Sequence, residues 1–155
     1  MPAPPLPVHR PIGQKPLRAS RASLRVFVCD DDLDFADELG GALGLAGFEV
    51  RTLRDGKSPV EIFEFFLPDV VLLDIYMPPP DGFEVMSHLV SDTRQRDISL
   101  ILASGADDNM LEVARQYCAA RGIRPAAVLR KPVRLSEVLA VCRAHRDRIQ
   151  APPPA

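Results

Sequence analysis

The residue pattern predicts an α/β fold: a doubly wound, five-stranded parallel sheet with five helices on its two faces. Three observations lead there. Short apolar runs rich in β-formers alternate five times with segments of helical spacing. Two of the inner runs are apolar almost throughout, as strands covered on both faces must be. The length, 155 residues, accommodates one full-sized core and not two.

The elements follow in order. Residues 1–23 are rich in Pro, Arg and Ala without periodicity and read as an extended arm. Residues 149–155, closing on Ala151-Pro-Pro-Pro-Ala155, read as a similar tail, which leaves 24–148 as the domain. Leu24-Arg-Val-Phe-Val-Cys29 is the first strand. Phe48-Glu-Val-Arg-Thr-Leu53 alternates apolar and polar, the mark of a half-buried second strand. Asp69-Val-Val-Leu-Leu-Asp74 and Ser99-Leu-Ile-Leu-Ala103 are the third and fourth, and Ala126-Ala-Val-Leu-Arg130 is the fifth. Phe35, Leu39 and Leu43 mark the first helix, with Gly47 as its stop. Gly40, Gly41 and Gly44 weaken its middle. No Lys-Ser/Thr pair follows them, so they are assigned to close helix–sheet packing rather than to a phosphate loop. Leu111, Ala114 and Cys118 line the fourth helix, and Leu135, Val138, Leu139 and Cys142 form the stripe of the fifth. Strict alternation requires right-handed crossovers between neighbouring parallel strands.

Composition narrows the function classes. Apolar residues make up 46% and charged residues 26%, the balance of a globular domain, and the formal net charge is −2. With that charge and dispersed Lys and Arg, neither nucleic acid nor an anionic membrane is expected as the main partner. No apolar run is long enough to span a membrane and no signal-peptide pattern opens the chain, so a cytoplasmic location is expected. Cys29, Cys118 and Cys142 each sit in an apolar pattern without metal-like spacing and read as buried free thiols.

Chemistry on such a sheet belongs at the C-terminal ends of its strands. The first strand ends in Asp30-Asp31-Asp32, the third in Asp74, the fourth in Ser104-Gly105 and the fifth in Lys131-Pro132. Asp32 alone is explained as the cap of the first helix. No structural need explains the set. Asp31 and Asp74 a few ångströms apart would repel by roughly 4 kcal/mol at an effective dielectric near 20. A divalent cation removes that cost, and hard oxygen ligands with room for water suit Mg2+. Asp74 could then attack phosphorus in line, with Lys131 and Ser104 stabilising the transferred oxygens.

Val26-Phe-Val-Cys-Asp-Asp-Asp32, Pro68-Asp-Val-Val-Leu-Leu-Asp-Ile-Tyr-Met-Pro78, Asp81-Gly82, Leu102-Ala-Ser-Gly105 and Leu129-Arg-Lys-Pro132 resemble the receiver domains of two-component response regulators. The resemblance spans about Leu24 to Arg148. It implies a flavodoxin-like sheet of order 2-1-3-4-5. It implies that Asp74 is the phosphoacceptor, that Asp30, Asp31, Asp74 and the Tyr76 carbonyl hold Mg2+, and that Ser104 and Lys131 engage the phosphoryl group. It also implies a cis Lys131–Pro132 bond and a turn into the third helix at Asp81-Gly82. A histidine kinase or phosphotransfer protein would be the donor, and the domain would signal without being a turnover enzyme. Two positions depart from the family pattern: Val128 stands where an aromatic residue is usual on the fifth strand, and Val133 where Phe often follows Lys-Pro. The usual swinging ring is therefore missing.

Too little chain follows Arg148 for an effector domain, so output is expected through protein contacts or as a phosphate sink. A homodimer could use the face of the fourth helix, fifth strand and fifth helix, or the tails. Two alternatives are a phosphorylation-independent adaptor of the same fold and a Mg2+-dependent phosphatase acting on small molecules. His9, His88 and His145 read as solvated or packing residues, because a phosphotransfer histidine belongs to a helical bundle. Tyr76 reads either as a gate on the acyl phosphate or as a partly exposed loop aromatic, Tyr117 as core packing before a dimer face, and Met77-Pro78-Pro79-Pro80 as a stiff loop shaping the rim.

Overall fold

The structure is a computed structural model that describes residues 23–77, 81–93, 97–105 and 108–150. Residues 1–22, the tail from 151 and Pro78–Pro80 lie outside the described residues, as does His9. The strands are β1 Arg25–Cys29, β2 Glu49–Thr52, β3 Val70–Asp74, β4 Ser99–Ser104 and β5 Ala127–Arg130. The helices are α1 Leu33–Leu45, α2 Pro59–Phe66, α3 Gly82–Thr93, α4 Asp108–Ala120 and α5 Leu135–Gln150, with a single 3-10 turn at Leu53–Asp55. The final helix thus runs past the Arg148 limit expected for the domain. The sheet is parallel throughout, in the order β2-β1-β3-β4-β5.

Period-two alternation sends neighbouring side chains to opposite faces. Phe27, Cys29, Val71, Leu73, Leu100 and Leu102 face one core, where they meet Ile62, Phe63 and Phe66 of α2, Met86 and Leu89 of α3, and Ala114 and Cys118 of α4. Val26, Val28, Leu72, Ile101 and Ala103 face the other, against Ala36, Leu39 and Leu43 of α1 and Val138 and Cys142 of α5. β3 and β4 are buried along their whole length, whereas the edge strands β2 and β5 are half-buried. Position in the sheet therefore explains which runs are wholly apolar.

Local chemistry sets the helix ends. Asp32 caps α1 by accepting a 3.1 Å bond from the Phe35 N–H, and Gly47 leaves the helix at φ +96°. Ser58 and Glu61 form a reciprocal capping box on α2, with Pro59 in its first turn. Asp81 accepts a 2.9 Å bond from the Glu84 N–H and so starts α3.

At the opposite end of the sheet from the strand termini, α5 is pinned to β4 through the buried His145. Its Nδ1 lies 2.8 Å from Ser99 Oγ and 3.0 Å from an Arg148 guanidinium nitrogen. A guanidinium only donates, so Nδ1 is the acceptor and Nε2 carries the proton. Arg148 also donates to both oxygens of Asp97, at 2.8 and 3.1 Å. His145 is a packing residue, as expected, and His88 is exposed on α3. The three cysteines are free and buried. Burial raises the Cys142 thiol to about 11 and pushes Cys29 and Cys118 up as well.

The helix glycines divide in a way that the packing expectation missed. A Cβ on Gly40 would come within 3.3 Å of Val50 on β2, so this position does serve close helix–sheet packing. Gly41 and Gly44 face open space, and only the expectation for Gly40 stands. The tightest approach is elsewhere. A Cβ on Gly82 would lie 2.5 Å from Ile75 Cα and 2.9 Å from the Asp74 carbonyl oxygen. Gly82 lets the start of α3 rest directly on the backbone leaving β3.

Two substitutions of one chemical type should therefore act oppositely in urea unfolding. Gly82→Ala should cost about 1–3 kcal/mol, the usual penalty for overpacking, whereas Gly41→Ala should gain about 0.5–1 kcal/mol from helix propensity. Equal effects at the two positions would contradict the close approach at Gly82.

Candidate functional site: a carboxylate cluster at the strand ends

β1 and β3 are adjacent, pairing Cys29 with Leu73, so the residues after Cys29 and Leu73 emerge side by side. These are Asp30 and Asp74, both buried, at 0% and 3% exposure. Asp31 points outward and is exposed. One carboxylate oxygen from each of Asp30, Asp31 and Asp74 lies within 4.8 Å of the others.

Lys131 enters from the end of β5. Its Nζ sits 2.6 Å from Asp30 Oδ2 as an ion pair and donates to Asp74 Oδ2 at 3.1 Å. The remaining oxygens are held by backbone. Asp30 Oδ1 accepts from the Asp32 N–H at 2.9 Å, and Asp74 Oδ1 accepts from the Tyr76 N–H at 3.1 Å. The Lys131 backbone N–H donates to the Ser104 carbonyl at 3.0 Å. The lysine stem runs past Gly105, where a Cβ would stand 3.7 Å from Lys131 Cβ and Cδ. Its ammonium also lies 5.5 Å from the centroid of the Phe35 ring.

The charge balance is unequal, with three carboxylates against one ammonium. Burial raises Asp74 above the ordinary carboxylate range; the Lys131 bond pulls it down, and the Asp30 charge pushes it up again. Burial would lower Lys131, but its bonds to Asp30 and Asp74 outweigh that and hold it above its usual value. Asp30 Oδ2 is buried and has no donor in hydrogen-bond geometry, since Lys131 meets it at ion-pair distance but off-angle. A surplus of negative charge and an all-oxygen donor set fit a small hard divalent cation, with Asp31 open to solvent for its waters.

The residues singled out in the sequence thus mostly converge. Asp30, Asp31, Asp74 and Lys131 form one cluster, and buried Ser104 ends the neighbouring strand, one position beyond the Ala103 that pairs with Asp74. At Tyr76 the engaged group is the backbone N–H, and the ring is 70% exposed. The Lys131–Pro132 bond is cis. Val128 is half-buried against the α2–α4 side of the core, and Val133 is buried on the other side. Tyr117 packs edge-on against Phe83 at 5.4 Å, in keeping with core packing. Three features were not anticipated: the direct Asp30–Lys131 pair, the Phe35 ring over the ammonium, and the backbone contact at Gly82. For Gly82, adjacency to Asp81 at a helix start was the available signal.

Among the described residues no helix is long and apolar enough to cross a membrane. Curated relatives include the response regulator MprA of Mycolicibacterium vanbaalenii, 31% identical over 121 residues, which cover 78% of this chain and 49% of MprA. The regulatory protein AtoC of Escherichia coli is 30% identical over 91 residues, 59% of this chain and 20% of AtoC. The chain therefore spans half or less of the length of these relatives. Among solved structures, the chemotaxis protein CheY4 of Vibrio cholerae superposes with a TM-score of 0.65 at 22% identity, covering 79% of this chain and 98% of that one. A response regulator receiver domain protein from Clostridium thermocellum gives 0.65 at 23%, covering 82% and 97%. These structural likenesses speak for the fold. The sequence also matches the response regulator receiver domain over residues 26–143. That match runs from the first strand into the last helix, across the whole sheet, and the chain accordingly belongs to the receiver domain family of response regulators.

Proposed function

We propose that the chain is a phosphoacceptor in two-component signalling, in which Asp74 takes a phosphoryl group from a histidine kinase or phosphotransfer protein. The observation that carries this reading is the convergence of Asp30, Asp31 and Asp74 with Lys131 at one rim of the sheet. Asp30, Asp31, Asp74 and the Tyr76 carbonyl would hold Mg2+, which when bound supplies the positive charge that neutralises the carboxylates and the transferring oxygens. An Asp74 oxygen attacks phosphorus, the bond from phosphorus to the donor nitrogen breaks, and its electron pair stays with the donor. Lys131 already touches both buried carboxylates and has only to follow Asp74 outward to meet the new phosphoryl oxygens. Ser104, one strand away, would donate to the same group. Hydrolysis by water returns the aspartate, so the domain resets itself without turning over a substrate.

Receiver domains are signalling modules, and no observation among the described residues favours the small-molecule phosphatase alternative. Output would run through a protein contact, with the face of α4, β5 and α5 or the terminal segments available for a homodimer, or the chain would act as a phosphate sink. The second reading, a phosphorylation-independent adaptor, is motivated by Val128, which offers no large ring to couple the site to the surface. An affinity for the partner that is unchanged by beryllofluoride and Mg2+ would favour the adaptor.

Incubation with acetyl phosphate and Mg2+ should add one labile phosphoryl group by intact mass, and Asp74→Asn should add none. Uptake by both proteins, or by neither, would overturn the proposal. Mg2+ at ten times its dissociation constant should stabilise the fold by about 1.4 kcal/mol, or about 4 °C in Tm. Asp31→Asn should lose most of that shift and, without metal, be at least as stable as the parent, because it removes one of three crowded carboxylates and neither of the Lys131 ion pairs. A full Mg2+ shift in that variant would remove Asp31 from the site.

A further inference from the structure

We propose that Phe35 is a positioning residue for Lys131, holding the ammonium at the carboxylates while phosphoryl transfer takes place; the role rests on the phosphoacceptor reading of Asp74 and adds a residue to it. Phe35 stands in the first turn of α1, its N–H tied to the capping Asp32 at 3.1 Å. Phe35 is half-buried and packs against the α1–α5 side of the core. Lys131 Nζ stands over its ring at 5.5 Å from the centroid, within the range of a cation–π contact.

A lysine needs such a contact here. Its ammonium is a strongly hydrated point charge on a flexible four-carbon stem. In this site the Lys131 backbone is held by the Ser104 carbonyl, while the long side chain leaves the head able to exchange partners. Its two carboxylate partners, Asp30 and Asp74, are also those proposed to hold the divalent cation. A cation held by these residues would draw the carboxylates away from Lys131 and repel its charge. The Phe35 ring is a contact that such competition leaves intact. It keeps the ammonium within reach of the phosphoryl oxygens as Asp74 attacks phosphorus, the bond to the leaving group breaks and the donor departs with the electron pair.

The test uses acetyl phosphate, whose transfer releases acetate and involves no protein donor, so that docking of a partner does not enter the rate. Phe35 is replaced by mono-, di- and trifluorophenylalanine, which keep the ring's shape and drain its face of electrons, and in parallel by Trp and by Leu. The rate constant for uptake with Mg2+ should fall stepwise along the fluorine series, reaching about fivefold in trifluorophenylalanine and in Phe35→Leu, the loss that a contact of this strength corresponds to. Phe35→Trp should retain the rate, and the urea midpoints of the fluorinated proteins should match the parent. A flat fluorine series in a protein that does accept phosphate overturns the role of Phe35 alone, even if Phe35→Leu is slow. A wild-type protein that accepts no phosphate overturns the phosphoacceptor reading and this role with it.

Discussion

Two buried carboxylates, Asp30 and Asp74, are forced together by the pairing of adjacent strands, and one ammonium stands between them. Much of the rest of the molecule can be understood as what makes that arrangement tolerable. Isolated charges do not survive burial; they are paired, hydrogen-bonded or bound to metal. Here each carboxylate has one oxygen held by a backbone N–H two residues on, at Asp32 and at Tyr76, and the other turned to Lys131. The balance remains short of positive charge. Burial and the neighbouring Asp30 leave Asp74 with a raised pKa even beside the lysine. A site that is short of one or two positive charges is poised to bind a cation and to hold one end of a phosphoryl group.

The fold supplies the convergence at little cost to itself. Parallel strands all point their C-terminal ends to one rim, so residues far apart in sequence arrive together without distorting any strand. Between their ends the inner strands are apolar: β3 runs Val-Val-Leu-Leu before Asp74, and β4 runs Leu-Ile-Leu-Ala between Ser99 and Ser104. The distal end of the sheet has its own polar fastening, through Ser99, His145, Arg148 and Asp97. Between the two lies an unbroken apolar layer on each face. Val128 belongs to that layer. Without an aromatic ring on β5, any link from the rim to the surface would have to use other contacts, and the close seat of Gly82 on the backbone of Asp74 and Ile75 joins the rim to α3 directly.

Much of this was legible in the residues. Near-continuous apolar runs mark β3 and β4, alternation marks the half-buried β2, and Asp32 and Gly47 mark the ends of α1. The Ser58-Pro-Val-Glu61 capping box is an equally local signal for α2. The carboxylates, Ser104 and Lys131 were legible because each lies just past a strand, where the fold class alone says that chemistry collects. What could not be read depends on distance across the fold. The Asp30–Lys131 pair joins the ends of β1 and β5, and side-chain reach over two intervening strand ends is not encoded in either local pattern. Phe35 shows the same limit: spacing says that it belongs to the inner stripe of α1, but not that the stripe's first residue overhangs the rim. The glycines of α1 failed for a related reason, since only the rotation of the helix on the sheet decides that Gly40 touches Val50 while Gly41 and Gly44 face open space.

The charge balance at the rim can be measured without any partner or phosphate donor. In chelator at neutral pH, Lys131→Met should lower the free energy of urea unfolding by about 2–3 kcal/mol, somewhat less than for a fully buried pair because 26% of the Lys131 side chain meets solvent. Mg2+ should then return more stability to Lys131→Met than it adds to the parent. If the variant is as stable as the parent in chelator and responds to Mg2+ to the same degree, Lys131 does not compensate these carboxylates, and the account of the site is wrong at its base.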